Sequence, residues 1–160
     1  PPFPTTFLLQ EKKTEPDYPI PYGDPIEQVN FLLSIIQEEA FSIEDAYIGS
    51  QIQVAEAQLM LQNAIEGFPY AVNITFTSAY NSPQFRLHLN NDTTLYGIPY
   101  TLIFGIREVT PGTPILWEEL GSDLNTMPLF VTGIEHTRAE SALAGTYKDT
   151  IYVEVSPIDS

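Results

Sequence analysis

Residues 142–157 read ALAGTYKDTIYVEVSP. Tyr147, Ile151, Val153 and Val155 share one parity, while Thr146, Lys148, Thr150, Tyr152 and Glu154 share the other. That alternation sorts apolar side chains to one face of a β-strand and polar ones to the opposite face. Asp149 falls on the inner parity and breaks the pattern; its place near the strand entry suggests a carboxylate that is hydrated or bonded to turn amides. Ala144-Gly145 supplies the turn before the strand, and Pro157 closes it because proline has no N–H to give the ladder. A chain whose last ordered segment is a core strand is expected to be a β-sandwich.

Working back from that strand, five more segments have strand character: QIQVAEAQLML (51–61), YAVNITFTSA (70–79), QFRLHLN (84–90), YTLIFGIREV (100–109) and LFVTGIEH (129–136). Turn chemistry separates them, at Asn81-Ser82-Pro83, Asn90-Asn91-Asp92, Pro111-Gly112 and Gly121-Ser122-Asp123. Short strands at this spacing predict an all-β, Ig-like antiparallel sandwich over 50–160. In 51–61 the apolar parity switches between Val54 and Leu59, as a β-bulge would require. A helix through VAEAQLMLQNAI competes there, because Ala, Glu, Gln, Leu and Met all favour it.

The first 50 residues differ. Seven of the 14 prolines lie within residues 1–25, a density that forbids a helix and reads as an extended arm over 1–24. Within it Phe3, Thr5, Phe7 and Leu9 keep a two-residue period, so this stretch could lie as a short strand on a partner surface. Residues 25–49 read as a helical or mixed segment. Asp24-Pro25 with Glu27 is a helix start signal, and Ile26, Val29, Leu32, Leu33, Ile36 and Ala40 follow at helical spacing, predicting a short helix over 25–40. The same letters allow a strand through Val29, Phe31, Leu33 and Ile35.

Composition sets the outer bounds. The chain has 160 residues, enough for one full hydrophobic core, and 43% of them are hydrophobic, so it can offset its chain entropy. Asp and Glu number 21 against 6 Lys and Arg, a net charge of −15. Nucleic acid is therefore a poor partner, since phosphate binding needs clustered cations and only Lys12-Lys13 adjoin. No apolar run approaches the roughly 20 residues needed to cross a bilayer, so membrane insertion is not expected. With no cysteine, disulfides, thiolate metal sites and a cysteine nucleophile are excluded.

A search for convergent chemistry finds none. IGSQI around Ser50 lacks the second glycine of a nucleophile elbow, and no phosphate-binding glycine loop is present. His88 and His136 fall in separate predicted strands without metal-ligand spacing, and the parity of His88 in RLHLN predicts that it faces solvent. Glu118-Glu119 beside Trp117 offers the two carboxylates of a glycosidase, but sequence neighbours do not point at one bond, and LWEELGSD reads as a solvated loop with an anchoring aromatic. DLNTM from Asp123 lacks the glycine and closing glutamate of an EF-hand loop. NIT at Asn73 and NDT at Asn91 fit the N-glycosylation pattern, whose chance occurrence is high. No catalytic residue, metal or cofactor is expected, and the chain is read as a non-enzyme.

AGTYKDTIYVEVSP closely resembles the C-terminal strand of the spore coat protein U and chaperone/usher pilin superfamily, where an Ala-Gly-Thr-Tyr turn and an aspartate introduce the last strand. ITFTSAYNSPQFRLHL followed by GIPYTLIFG looks like the middle of such domains, and PLFVTGIEH takes the place of the penultimate strand. The resemblance covers about residues 70–156. Spore-coat-like members commonly carry a disulfide, so the cysteine-free chain points to the fimbrial branch, and the first 50 residues have no counterpart. The resemblance implies an Ig-like sandwich missing one strand. Its apolar groove beside the last strand would be lined by Tyr147, Ile151, Val153 and Val155, and would be filled first by a periplasmic chaperone and then by the arm of a neighbouring subunit. In this chain Phe3, Phe7 and Leu9 form the candidate donor arm. The expected function is then a noncatalytic structural or adhesive subunit of an extracellular fimbria or coat, secreted to the periplasm or cell surface, with neighbouring subunits as partners. The alternative is a monomeric secreted Ig-like module that binds a glycan or protein.

Overall fold

A computed structural model describes residues 4–11, 17–18, 29–38, 40–89, 92 and 97–158, with 4–11 and 17–18 as backbone only. Two sheets pack face to face. The first has the order β11 (Ile115–Leu120), β6 (Tyr70–Ser78), β13 (Tyr147–Pro157), β1 (Pro4–Glu11), β4 (Phe41–Ser42); β7 (Arg86–Leu89) also pairs with β13, and β8 (Ile98–Pro99) with β7. The second has the order β10 (Arg107–Glu108), β9 (Thr101–Phe104), β12 (Asn125–Thr132), β5 (Gln51–Gln62), β3 (Val29–Gln37), β2 (Asp17–Tyr18). Every named strand pairing is antiparallel except that of β1 with β13. The fold is the Ig-like sandwich that the alternation predicts.

The core fills the space between the sheets. Val72, Ile74 and Phe76 of β6 and Ile151 and Val153 of β13 come from one side, Ala57 and Leu59 of β5 and Leu129 and Val131 of β12 from the other, all fully buried. Phe104 bridges the layers, with its ring 5.6 Å from that of Phe76 and 5.2 Å, edge-on, from Trp117. The parity switch in β5 is a bulge. Phe130 registers with Gln53 and Leu129 with Ala55, leaving Val54 as the extra residue, and Val54 and Ala55 are both buried.

Four expectations need correction. The helix over 25–40 is not formed where it is described: Val29–Gln37 is β3, paired with β5 from Asn30↔Gln62 to Gln37↔Ala55. Val29 and Phe31 are buried, whereas Leu32 and Ile36, which a helix would have placed on its apolar face, are 45% and 50% exposed. The apolar letters fit both periods, and pairing with a long central strand decided between them; Val29, Ile35 and Ile36 are also stiff, β-branched residues. Asp24, Pro25, Ile26 and Glu27 lie outside the described residues. Among the described residues the one α-helix, α1 (His136–Ser141), stands instead where the strand 129–136 was expected to end. β12 stops at Thr132, and Gly133 follows with φ 76°, where an added Cβ would lie 2.8 Å from the Thr101 hydroxyl oxygen.

LWEELGSD is likewise not a loop. Its first five residues belong to edge strand β11, in which Trp117 is buried against the core. Glu118 and Glu119 face water, and Glu119 has φ 57°, at the point where the register with β6 slips between Trp117 and Leu120. The segment 100–109 folds as a hairpin rather than one strand, turning at Gly105, and leaves Ile106 at its tip 97% exposed.

The strand assignment of 29–37 has a direct consequence. Phe31→Ala should lower the unfolding free energy by about 3–5 kcal/mol, while Leu32→Ala next to it should change it by less than about 1 kcal/mol, read from urea denaturation of the two variants. Comparable losses at both positions would contradict the alternation.

Candidate functional site

The site grows from β13, whose inner parity carries Tyr147, Asp149, Ile151, Val153 and Val155, all buried. One edge is taken by β6, from Ile151↔Ser78 to Pro157↔Val72, and at the strand entry by β7, through Tyr147↔Leu89 and Lys148↔His88. The other edge is covered by β1 in parallel, from Thr5↔Tyr147 to Glu11↔Val153. The flank that the sequence assigned to a neighbour's strand is thus occupied here by the chain's own residues 4–11. Phe7 registers with Asp149 and Leu9 with Ile151; Phe3 lies outside the described residues. Val155 lies beyond the last registered pair of this edge and is held from the β6 side, opposite Ile74.

β1 is weakly held on its far side, where β4 pairs only with Pro4 and Thr5. Proline is tolerated there because it stands first in the strand. Parallel pairing is also slightly less stable per residue than antiparallel pairing. The arm is joined to the sheet chiefly through β13.

Beneath this edge lies a polar contact that the alternation did not anticipate. Asp149 is fully buried rather than hydrated. The Tyr100 hydroxyl donates to its Oδ2 at 2.5 Å, and the Thr150 N–H donates to Oδ1 at 2.9 Å. Tyr100 sits where the chain crosses from β8 in the first sheet to β9 in the second; its own N–H donates to the Phe85 carbonyl, and its ring stacks on Phe85 at 5.8 Å. Burial pushes the Asp149 carboxyl up to about 7, and the two donated hydrogen bonds oppose that rise. The Tyr100 phenol is raised well above its ordinary value, first by burial and then by the neighbouring carboxylate. Tyr100 was missed by the sequence reading. The available signal was the inward parity of Asp149, since a buried carboxylate needs a donor.

At the strand entry the Tyr147 hydroxyl donates to the Leu143 carbonyl at 2.5 Å, and burial raises its phenol. Beside it opens a recess of about 310 Å3 lined by Leu89, Ile98, Ala142, Leu143 and Arg138. His88, expected to face solvent, is buried: the Tyr80 ring lies edge-on at 5.0 Å, and burial followed by Arg86 lowers the imidazole pKa. β7 is covered on both faces, so parity alone could not place the histidine. His136 lies in α1 and pairs with Glu140 at 3.3 Å. Among the described residues no three His, Cys, Asp or Glu side chains converge as metal ligands.

The two tyrosine hydroxyls should differ in weight. Tyr100→Phe is expected to cost about 1.5–3 kcal/mol at pH 8, where Asp149 is ionised and the bond charge-assisted. Its cost should shrink at pH 5, where Asp149 is neutral. Tyr147→Phe should cost about 0.5–1.5 kcal/mol at both pH values. Denaturant titrations at the two pH values check this, and a Tyr100→Phe penalty independent of pH would contradict it.

No family model matches the chain, and no curated protein matches it. Several solved structures are similar to it, among them the following. The pre-assembly complex of chaperone CsuC and tip adhesion subunit CsuE, from the archaic chaperone-usher Csu pili of Acinetobacter baumannii, matches at 18% identity and TM-score 0.44, over 78% of this chain and 39% of that one. A chaperone–tip adhesin complex of CFA/I fimbriae biogenesis matches at 10% identity and TM-score 0.43, over 93% and 39%. A point variant of the CFA/I adhesin CfaE from enterotoxigenic E. coli matches at 9% identity and TM-score 0.37, over 98% and 47%. The chain spans about two fifths of the length of the first two.

Proposed function

We propose that the chain is a noncatalytic structural or adhesive subunit of an extracellular fimbria or coat, and that it assembles by strand addition at the edge of β13. The observation that carries this is the parallel pairing of β1 with β13. The last strand lacks a local partner on that side, and the place is taken by a segment some 140 positions away in sequence, Thr5↔Tyr147 through Glu11↔Val153. A strand that reaches its site along a remote tether can be replaced by the same strand of a neighbour, because main-chain hydrogen bonds give the binding and alternate side chains the register. In this reading Phe7 and Leu9 of a donor arm sit over the groove lined by Tyr147, Ile151 and Val153. The arrangement described here is the self-filled form, which keeps an apolar edge covered before assembly. A periplasmic chaperone would serve the same end.

A second reading has its own support. Because β1 belongs to the same chain, the sandwich is closed without help, as a monomeric secreted module for a glycan or protein would be. The two readings part on concentration. Strand addition predicts oligomers that resist SDS without boiling, collapse on heating, accumulate at high protein concentration and vanish when residues 1–11 are removed. A chain that stays monomeric throughout, and never takes up an added peptide of residues 1–13, would leave only the monomeric module.

A further inference from the structure

Asp149 is the one acidic group buried in the strand whose edge the arm covers. Its inner-parity neighbours on β13 are Tyr147 and Ile151, and its register partner on β1 is Phe7. Neither of its hydrogen bonds comes from a cation. On β1 the sole ionisable residue is Glu11, registered four positions away at Val153; β6 carries only Tyr70, at its far end. On β7, His88 registers with Lys148, on the opposite parity, and Arg86 is two residues further; Arg138 of α1 lines the recesses beside Tyr147 and Tyr100. From the crossing between β8 and β9 comes Tyr100, and the nearby phenol of Tyr147 is turned to the Leu143 carbonyl. The carboxyl is thus held by two neutral donors, in a place that solvent does not reach while the edge is filled.

We propose that filling the edge of β13 is coupled to uptake of one solvent proton by Asp149, so that acid holds a strand in the groove and alkali favours its release. This rests on the reading of that edge as a strand-docking groove. With β1 in place, an ionised Asp149 has lost its water and gained only the Tyr100 hydroxyl and the Thr150 amide. With β1 withdrawn, the edge opens along Tyr147–Val153, the carboxylate regains water, and its proton is given up at ordinary carboxylate pH. The sign follows from linkage: the filled form binds more protons between about pH 4 and about pH 7, the latter set by the raised value of the buried carboxyl, so emptying the groove releases a proton and is favoured as pH rises. The same coupling applies to any strand that occupies the edge, whether from this chain or a neighbour.

Amide hydrogen exchange on the full-length chain, corrected for intrinsic rates, tests the coupling through the β1 amides Thr6–Glu11. The opening constant should rise about tenfold from pH 5 to pH 6 and level off above about pH 7. Asp149→Asn, an isostere that cannot ionise, should be flat over the same range. Should that variant fold poorly, Tyr100→Phe serves instead; it removes a donor to the ionised form and should move the levelling point to higher pH. Protected arm amides with a pH-independent opening constant, or an unchanged slope in Asp149→Asn, would overturn the coupling while leaving the groove intact. Arm amides that exchange at the rate of an unstructured peptide at every pH would overturn the groove reading itself.

Discussion

A strand in the middle of a sheet has two edges, and each edge must give its N–H and C=O groups to something. For β13 this requirement organises the molecule. β6 and β7 satisfy one side, and on the other the chain brings back its residues 5–11, running parallel. With that second edge filled, Ile151, Val153 and Asp149 are fully buried and Tyr100 donates to Asp149. A local hairpin could not have supplied the strand in this direction, because a parallel partner needs a long crossover. Here that crossover is nearly the whole chain.

What could be read beforehand follows from where period and environment agree. The two-residue alternation of 147–155 and 70–78 was unambiguous because each strand has one wet face and one dry face, and the parity switch in 51–61 foretold the bulge at Val54. At 29–37 the letters fitted two periods, and only the presence of β5 alongside could choose. β11 escaped notice because its bulge at Glu119 breaks the alternation just where the carboxylates cluster. Parity put Tyr147, Ile151, Val153 and Val155 on the inner face of the last strand, where they are buried, whereas the idea that they line a groove came from the resemblance. That the arm would be seated in its own chain was not legible, since nothing local in a sequence records which copy a remote strand belongs to. Asp149 was seen as an anomaly, but its partner lies 49 positions upstream, on a residue that only the crossing between sheets brings near.

The charge balance bears on the same edge. A net charge of −15 on 160 residues makes copies of this chain repel one another through water. Any association between them must therefore come from short-range backbone pairing and apolar contact rather than from steering. Salt, by screening the repulsion, works in favour of contact between copies.

The opposite rim of the first sheet completes the picture. β11 presents its free edge with a left-handed kink at Glu119 and two outward carboxylates, so a flat ribbon cannot lie along it. One border of the first sheet is thus barred by charge and a kink, while toward its other border β13 meets β1, which β4 holds only at Pro4 and Thr5. In the strand-addition reading proposed above, that contrast would give assembly along this sheet a direction, with the β13 side as the one that receives a neighbour.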